Sequence, residues 1–242
     1  MKILAINGSP RGKASNTHKM ITEILTGAGG IGAEVEIVNL SKLKVLHCLG
    51  CFGCWMDKDN KCVINDDMDE LLKKYTQSDI VIYGTPVLMD GISSLLKTFI
   101  DRCLPIISPH SVKNEEGEYL HGKSEKYNIP KFVIVSNSGF PEQSKFLLIS
   151  SYFKQLAKSM HTEVIAEVYR GLGMALLKLP KNAKDRPIVD RYNQLLNLIG
   201  AELAMNKKLS TETELELLKE LVSHDEYMEK INNYWKKALI SD

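Results

Sequence analysis

Residues 2–17, KILAINGSPRGKASNT, contain an apolar run, an abrupt turn and the first residues of an amphipathic segment. Lys2 to Ile6 has the continuous hydrophobicity of a short buried strand, and Asn7-Gly8-Ser9-Pro10 breaks it. From Ser15 to Leu25 the apolar residues recur at helical spacing, so the order is strand, loop, helix. Gly8 and Gly12 permit backbone conformations that other residues resist, which lets successive amide hydrogens turn inward on an anion at the helix N-terminus. Ser9, Ser15, Asn16 and Thr17 add hydroxyl and amide donors, and Arg11 adds charge. The plainer alternative is an ordinary connection with Ser15 as an N-cap, but a cap needs one side chain and this loop offers five polar ones.

No Lys-Ser/Thr pair of a triphosphate-binding loop is present, so the loop suits a monophosphate better. Gly27-Ala28-Gly29-Gly30-Ile31-Gly32 matches the pattern G-x-G-x-x-G, yet it closes a helix and precedes a strand instead of following a strand and opening a helix. It is expected to be a helix stop and turn.

Further along, the strand and helix unit repeats. Val35 to Leu40, Ile80 to Gly84, Phe132 to Ser136 and Glu163 to Tyr169 read as strands. Asp66 to Tyr75, Ile92 to Arg102 and Lys145 to Met160 read as the helices between them. Five strands alternating with helices predict an α/β, doubly wound parallel sheet with ligands at the carboxyl ends of its strands. The expected domain is 1–178, with a cysteine loop at 47–63 and a lid or dimer arm at 104–130, followed by a helical extension at 179–242. Tyr227, Tyr234 and Trp235 in that extension read as ordinary core aromatics.

A formal net charge of +1 without blocks of like charge gives no reason to expect a nucleic-acid groove or a polybasic membrane surface. No stretch approaches the roughly 20 apolar residues of a membrane span, and no signal-peptide core follows Met1, so a cytoplasmic location is expected. Four of the five cysteines crowd between Cys48 and Cys62, which suits metal or redox chemistry in a reducing compartment better than a disulfide framework. The sequon Asn7-Gly8-Ser9 is then coincidental.

With strand, G-S-x-R and S-N-T in this order, residues 1–169 resemble the NADPH-dependent FMN reductase group of flavodoxin-like proteins. That resemblance implies the sheet order 2-1-3-4-5 and places the FMN phosphate on Ser9, Arg11, Ser15, Asn16 and Thr17. It also covers Gly84-Thr85-Pro86-Val87-Leu88-Met89-Asp90-Gly91 and the helix end Phe99-Ile100-Asp101-Arg102. It implies that Pro86, Val87, Leu88, Met89, Asp90 and Gly91 lie against the isoalloxazine ring, with Leu88 where the family usually has an aromatic. Ser136, Ser138 and Gly139 resemble the other ring-edge loop, with Phe140 close behind.

Cys48, Cys51, Cys54 and Cys62 form C-x2-C-x2-C-x7-C. Three thiolates at intervals of three can wrap one face of a cubane iron-sulfur cluster while a more distant fourth completes it. The motif resembles iron-sulfur flavoproteins, in which four such cysteines hold a 4Fe-4S cluster near FMN. Thiols without a cluster, and less readily zinc, remain alternatives, since zinc usually draws its thiolates as two separated pairs. Cys103 reads as a buried apolar thiol, and His47 as incidental or as an outer donor to the cysteines.

No Ser-His-Asp or paired-carboxylate arrangement can be placed at matching strand ends, so hydrolysis has no support. The expected activity is an FMN-dependent oxidoreductase, NAD(P)H-linked, with a small molecule or protein as electron donor and acceptor and no side-chain acid or base required. A non-catalytic flavin electron carrier, a cluster-free flavin or quinone reductase and a non-redox binding module are the alternatives. The resemblance implies a homo-oligomer.

Overall fold

The computed structural model describes residues 1–178 and 186–240. Strands β1 (Lys2–Asn7), β2 (Glu34–Asn39), β3 (Ile80–Pro86), β6 (Lys131–Asn137) and β7 (Val164–Arg170) form one five-stranded sheet in the order β2-β1-β3-β6-β7. All four pairings are parallel. Counting this sheet alone, the order is the 2-1-3-4-5 expected. The two remaining strands, β4 (Ser111–Lys113) and β5 (Tyr119–His121), make a separate antiparallel hairpin inside the polar arm. Lys158 holds that hairpin through ion pairs to Glu116 at 2.6 Å and Glu118 at 2.7 Å.

Alternation along the strands builds two layers. Ile3, Ala5, Ile82 and Val133 pack against α1 (Asn16–Gly30) and α7 (Arg186–Asn206). Leu4, Ile6, Tyr83 and Ile134 face α3 (Met68–Thr76), α4 (Ser94–Asp101) and α5 (Leu147–Ser159). Each fully buried aliphatic side chain contributes roughly 1.5–3 kcal/mol, so both layers are needed to hold the sheet.

Two short helices, α2 (Gly53–Met56) and α6 (Ala175–Lys178), interrupt loops, while α8 (Thr211–Leu217) and α9 (His224–Ile240) follow α7. Leu196, Ile199 and Leu203 of α7 share one core with the sheet, so this helix completes a layer. Tyr227 is buried, whereas Tyr234 and Trp235 are about half exposed, which corrects their reading as core. Residues 179–185, in the expected extension, lie outside the described residues.

Helix α1 runs through Gly27, Gly29 and Gly30 and ends before Gly32, whose φ of +91° turns the chain. The expected stop is therefore later than the first glycine. A Cβ on Gly27 would fall 1.8 Å from the Asn197 carbonyl oxygen, and one on Gly200 1.8 Å from that of Ile24. The glycines serve close helix approach, and tertiary packing outweighs their poor helix propensity of about 1 kcal/mol each.

Candidate active site

Pairing of Asn7 with Gly84 and of Pro86 with Asn137 brings the carboxyl ends of β1, β3 and β6 together. Hydrogen bonds then lock their loops to one another. The Gly8 amide donates to the Gly84 carbonyl at 2.8 Å, and the Ser93 hydroxyl donates to the Gly8 carbonyl at 2.7 Å. Asn137 Nδ2 donates to Thr17 Oγ1 at 2.7 Å, and the Val87 amide donates to the Asn137 carbonyl at 2.9 Å.

Within the first loop, Asn7 Oδ1 accepts from the Ser9 amide while Asn7 Nδ2 donates to the Gly12 carbonyl. Gly12 sits at φ +51°, and a Cβ there would lie 2.7 Å from Ser41 Oγ. Ser15 does cap α1, accepting from the His18 amide at 3.0 Å, and its own hydroxyl donates to the Gly12 carbonyl at 2.7 Å. Its side chain is thus engaged in holding the turn. Ser9, Asn16 and Thr17 are buried beside it, and Arg11 is exposed. Asn16 and Thr17 occupy the first turn of α1, where backbone amides have no acceptor within the helix. Asn16 Oδ1 is buried without a partner, as is Ser136 Oγ at the end of β6.

The segment after β3 forms a tight two-residue turn. Leu88 and Gly91 exchange backbone hydrogen bonds of 3.1 and 3.0 Å around Met89 at φ +47° and Asp90 at φ +59°. Pro86, Val87 and Gly91 are half-buried, and Leu88, Met89 and Asp90 are exposed. A cavity of about 690 Å³ opens beside this turn, lined by Leu88, Asp90, Ile92, Leu148 and Tyr152 among others. Ser138 is buried, with its hydroxyl accepting from the Phe140 amide, while Gly139 and Phe140 are exposed.

The cysteine loop leaves β2 and lies along α4. All four of its cysteines are free thiols, with Cys54 buried, Cys62 half-buried and Cys48 and Cys51 exposed. Burial pushes the Cys54 thiol up, and Cys62 adds to this, with Cys48 and Cys51 acting in the same direction. Among the described residues, no three His, Cys, Asp or Glu side chains converge as a ready-made metal cage. Gly50 at φ +62° and Phe52 at φ +54° wrap the loop tightly, and the Gly50 amide donates to Cys48 Sγ at 3.4 Å. Trp55 Nε1 donates to the carbonyls of Leu104 and Ile107, pinning the loop to the base of the arm.

One ion pair clamps both ends of this loop. Arg102, at the end of α4, places Nη1 2.8 Å and Nη2 3.0 Å from the two carboxylate oxygens of Asp66, and Nη1 also donates to the Leu46 carbonyl. Asp66 in turn accepts from the Leu46 and Met68 amides. Burial alone would raise the Asp66 carboxyl, but the Arg102 fork and the two amides outweigh it and hold the group below its ordinary value. His47, expected to be incidental or an outer donor, pairs through Nδ1 with Thr98 Oγ1 of α4 at 2.9 Å. Cys103 is buried, and burial drives its thiol far above the ordinary range, as expected of an apolar thiol.

Sequence reasoning assigned no site role to Asn7, Ser93, Asn137, Asp66 or Arg102. The available signal was a polar residue directly ending an apolar strand, seen at Asn7 and Asn137. Nothing local could have joined Asp66 to Arg102.

Comparison with known proteins bears on the family and the fold. Residues 1–123 match the family model described as NADPH-dependent FMN reductase. An iron-sulfur flavoprotein of Methanocaldococcus jannaschii is 37% identical over 117 residues, covering 48% of this chain and 59% of that protein. One from Archaeoglobus fulgidus is 28% identical over 242 residues, covering 98% of each. Among solved structures, an FMN-dependent NADH-azoreductase from Bacillus anthracis superposes with a TM-score of 0.59 at 17% identity over 84% of this chain and 99% of that one. An NAD(P)H:quinone oxidoreductase from Methanothermobacter marburgensis gives 0.57 at 14% identity over 86% and 99%. These two likenesses concern the fold. With the family model covering half of the chain, the protein belongs to the NADPH-dependent FMN reductase family.

Proposed function

We propose that the protein is an FMN-dependent, NAD(P)H-linked oxidoreductase that passes electrons through flavin and a 4Fe-4S cluster to an acceptor. The observation that carries this reading is the interlocked carboxyl edge of β1, β3 and β6, where buried polar atoms of Asn16 and Ser136 lack partners. A phosphate and a polar ring edge are the groups such atoms serve, and Gly12 supplies the left-handed turn of the loop, where a Cβ would meet Ser41. Ser9, Asn16, Thr17 and the first-turn amides of α1 bind the phosphate, with Arg11 supplying charge from the rim. Ser15 shapes the turn and caps the helix. Segments 86–91 and 136–139 hold the ring, and the open cavity lined by Leu88, Ile92 and Tyr152 admits a donor or acceptor.

Flavin supplies hydride and single-electron chemistry when bound, so no side-chain acid or base is needed. The cysteine loop is chemically suited to a cluster: four free thiols in one loop, an amide already directed at a sulfur and a tight wrap through Gly50. Names of the iron-sulfur flavoprotein relatives point the same way.

Anaerobic purification with iron and sulfide analysis, followed by stopped-flow mixing with NADH or NADPH, tests the reading. Rapid flavin bleaching in an iron-loaded protein is expected. Bleaching only by a reduced ferredoxin-like protein would make the chain a carrier, iron-free yellow protein would leave a plain flavin reductase, and colourless protein that binds no added FMN would overturn the whole reading.

A further inference from the structure

Among the described residues Arg102 has the largest fully buried side chain, 1% exposed, and the side chain of its partner Asp66 is 0% exposed. Two of its three guanidinium nitrogens are spent on Asp66 and the Leu46 carbonyl. The third, Nε, is buried and has no hydrogen-bond partner. The Cys62 thiol, the fourth cysteine of the loop whose ends Arg102 holds, interacts with that guanidinium and favours its charged form. A buried N–H left unpaired is costly, and that cost is relieved when a sulfur bearing negative charge faces it.

We propose that Arg102 is a positioning residue for the cysteine loop: its fork on Asp66 fixes the loop ends, and its guanidinium supplies the buried positive charge and N–H that stabilise sulfur charge at Cys62 and raise the reduction potential of the cluster. The physical reason is Coulombic. Reducing a cluster by one electron adds one negative charge, and a cation in a water-poor site favours that state. This inference rests on the cluster reading of the cysteine loop.

Because α4 also contributes Ser93 to the first loop and Thr98 to His47, the helix carries the cation on the same rigid element that borders the flavin site. Arg102 belongs to none of the segments assigned to the flavin, so its effect is read in the cluster itself.

EPR-monitored redox titration of anaerobically purified wild type, Asp66→Asn, Arg102→Gln and the double variant tests the proposal, with folding checked by circular dichroism and loading by iron analysis. Asp66→Asn keeps an oxygen acceptor for one of the Leu46 and Met68 amides and leaves the cation unbalanced, so its midpoint rises. Adding Arg102→Gln to Asp66→Asn removes the cation without stranding a carboxylate, and the midpoint falls by the equivalent of about a tenfold change in the ratio of reduced to oxidised cluster, about 59 mV for one electron. A purely mechanical clamp predicts shifts of the same sign, or cluster loss, in both steps, and either result overturns the proposal. Should Arg102→Gln not fold in either background, Asp66→Asn with a midpoint at or below wild type overturns it, and a rise supports it. Wild type devoid of iron overturns the cluster reading and this inference together, whereas a loaded wild type with unmoved variants overturns only the role of Arg102.

Discussion

Asn16 and Ser15 adjoin in sequence but differ in how the fold uses them. Ser15 makes two hydrogen bonds that hold the turn, while the buried oxygen of Asn16 makes none. Ser15→Ala should therefore cost the apoprotein roughly 1 kcal/mol, as loss of an N-cap does. Asn16→Ala should disturb apoprotein stability less and weaken FMN binding more, measured by denaturation and by quenching of FMN fluorescence. Equal losses in both assays would remove the distinction. Gly12→Ala forces a side chain into a left-handed backbone and against Ser41, with an expected destabilisation of about 1–2 kcal/mol. These roles were legible as a list of polar residue types around Gly8 and Gly12; which of them is consumed by the turn was not, since that depends on where each hydroxyl points.

Among the elements, α7 is decided by its contact with α1. Gly200→Ala would drive a methyl group into the Ile24 carbonyl and separate the helices, costing about 1–3 kcal/mol or more, seen as a lower urea midpoint. Glu202 on the same helix fastens α8 by accepting from the Ser210 amide and from the hydroxyls of Ser210 and Thr213. Burial opposes its charge, but these hydrogen bonds outweigh burial and hold its carboxyl below the ordinary value of 4.5. A depressed carboxyl contributes stability that is complete above its unfolded pKa and is lost as pH falls through its folded pKa. Glu202→Gln should therefore destabilise the protein by roughly 1–3 kcal/mol at pH 7, with the gap from wild type closing in acid. A gap independent of pH would show that the charge has no part in it. Helix periodicity revealed α1 and the presence of helices after residue 185, but the glycines of α1 read locally as a stop because their partner backbone lies about 170 residues away.

At the scale of the whole molecule, the two layers close only when α7 covers the face of α1 that Ile24 and Ala28 present. A chain ending at residue 178 would expose that apolar surface, so it is expected to aggregate or lose its near-ultraviolet circular dichroism. A soluble, cooperatively unfolding 1–178 fragment would identify the helices beyond it as a separable extension. The same closure sets the edge on which the site stands. Parallel strands all deliver their loops to one side, where Ser93 at the start of α4 meets the first loop, while Arg102 just past the end of α4 meets the cysteine loop.

The chain itself determined the sheet, its order by family likeness, the glycine turn after β1 and the C-x2-C-x2-C-x7-C spacing, because hydrophobic period, glycine placement and thiol spacing act over a few residues. Only the tertiary structure decided the Asn137 to Thr17 lock, the close contact of α1 with α7 and the clamp of Arg102 on Asp66. Each joins groups separated by tens of residues or more, and their energy exists only once burial has removed the water that would otherwise compete for them.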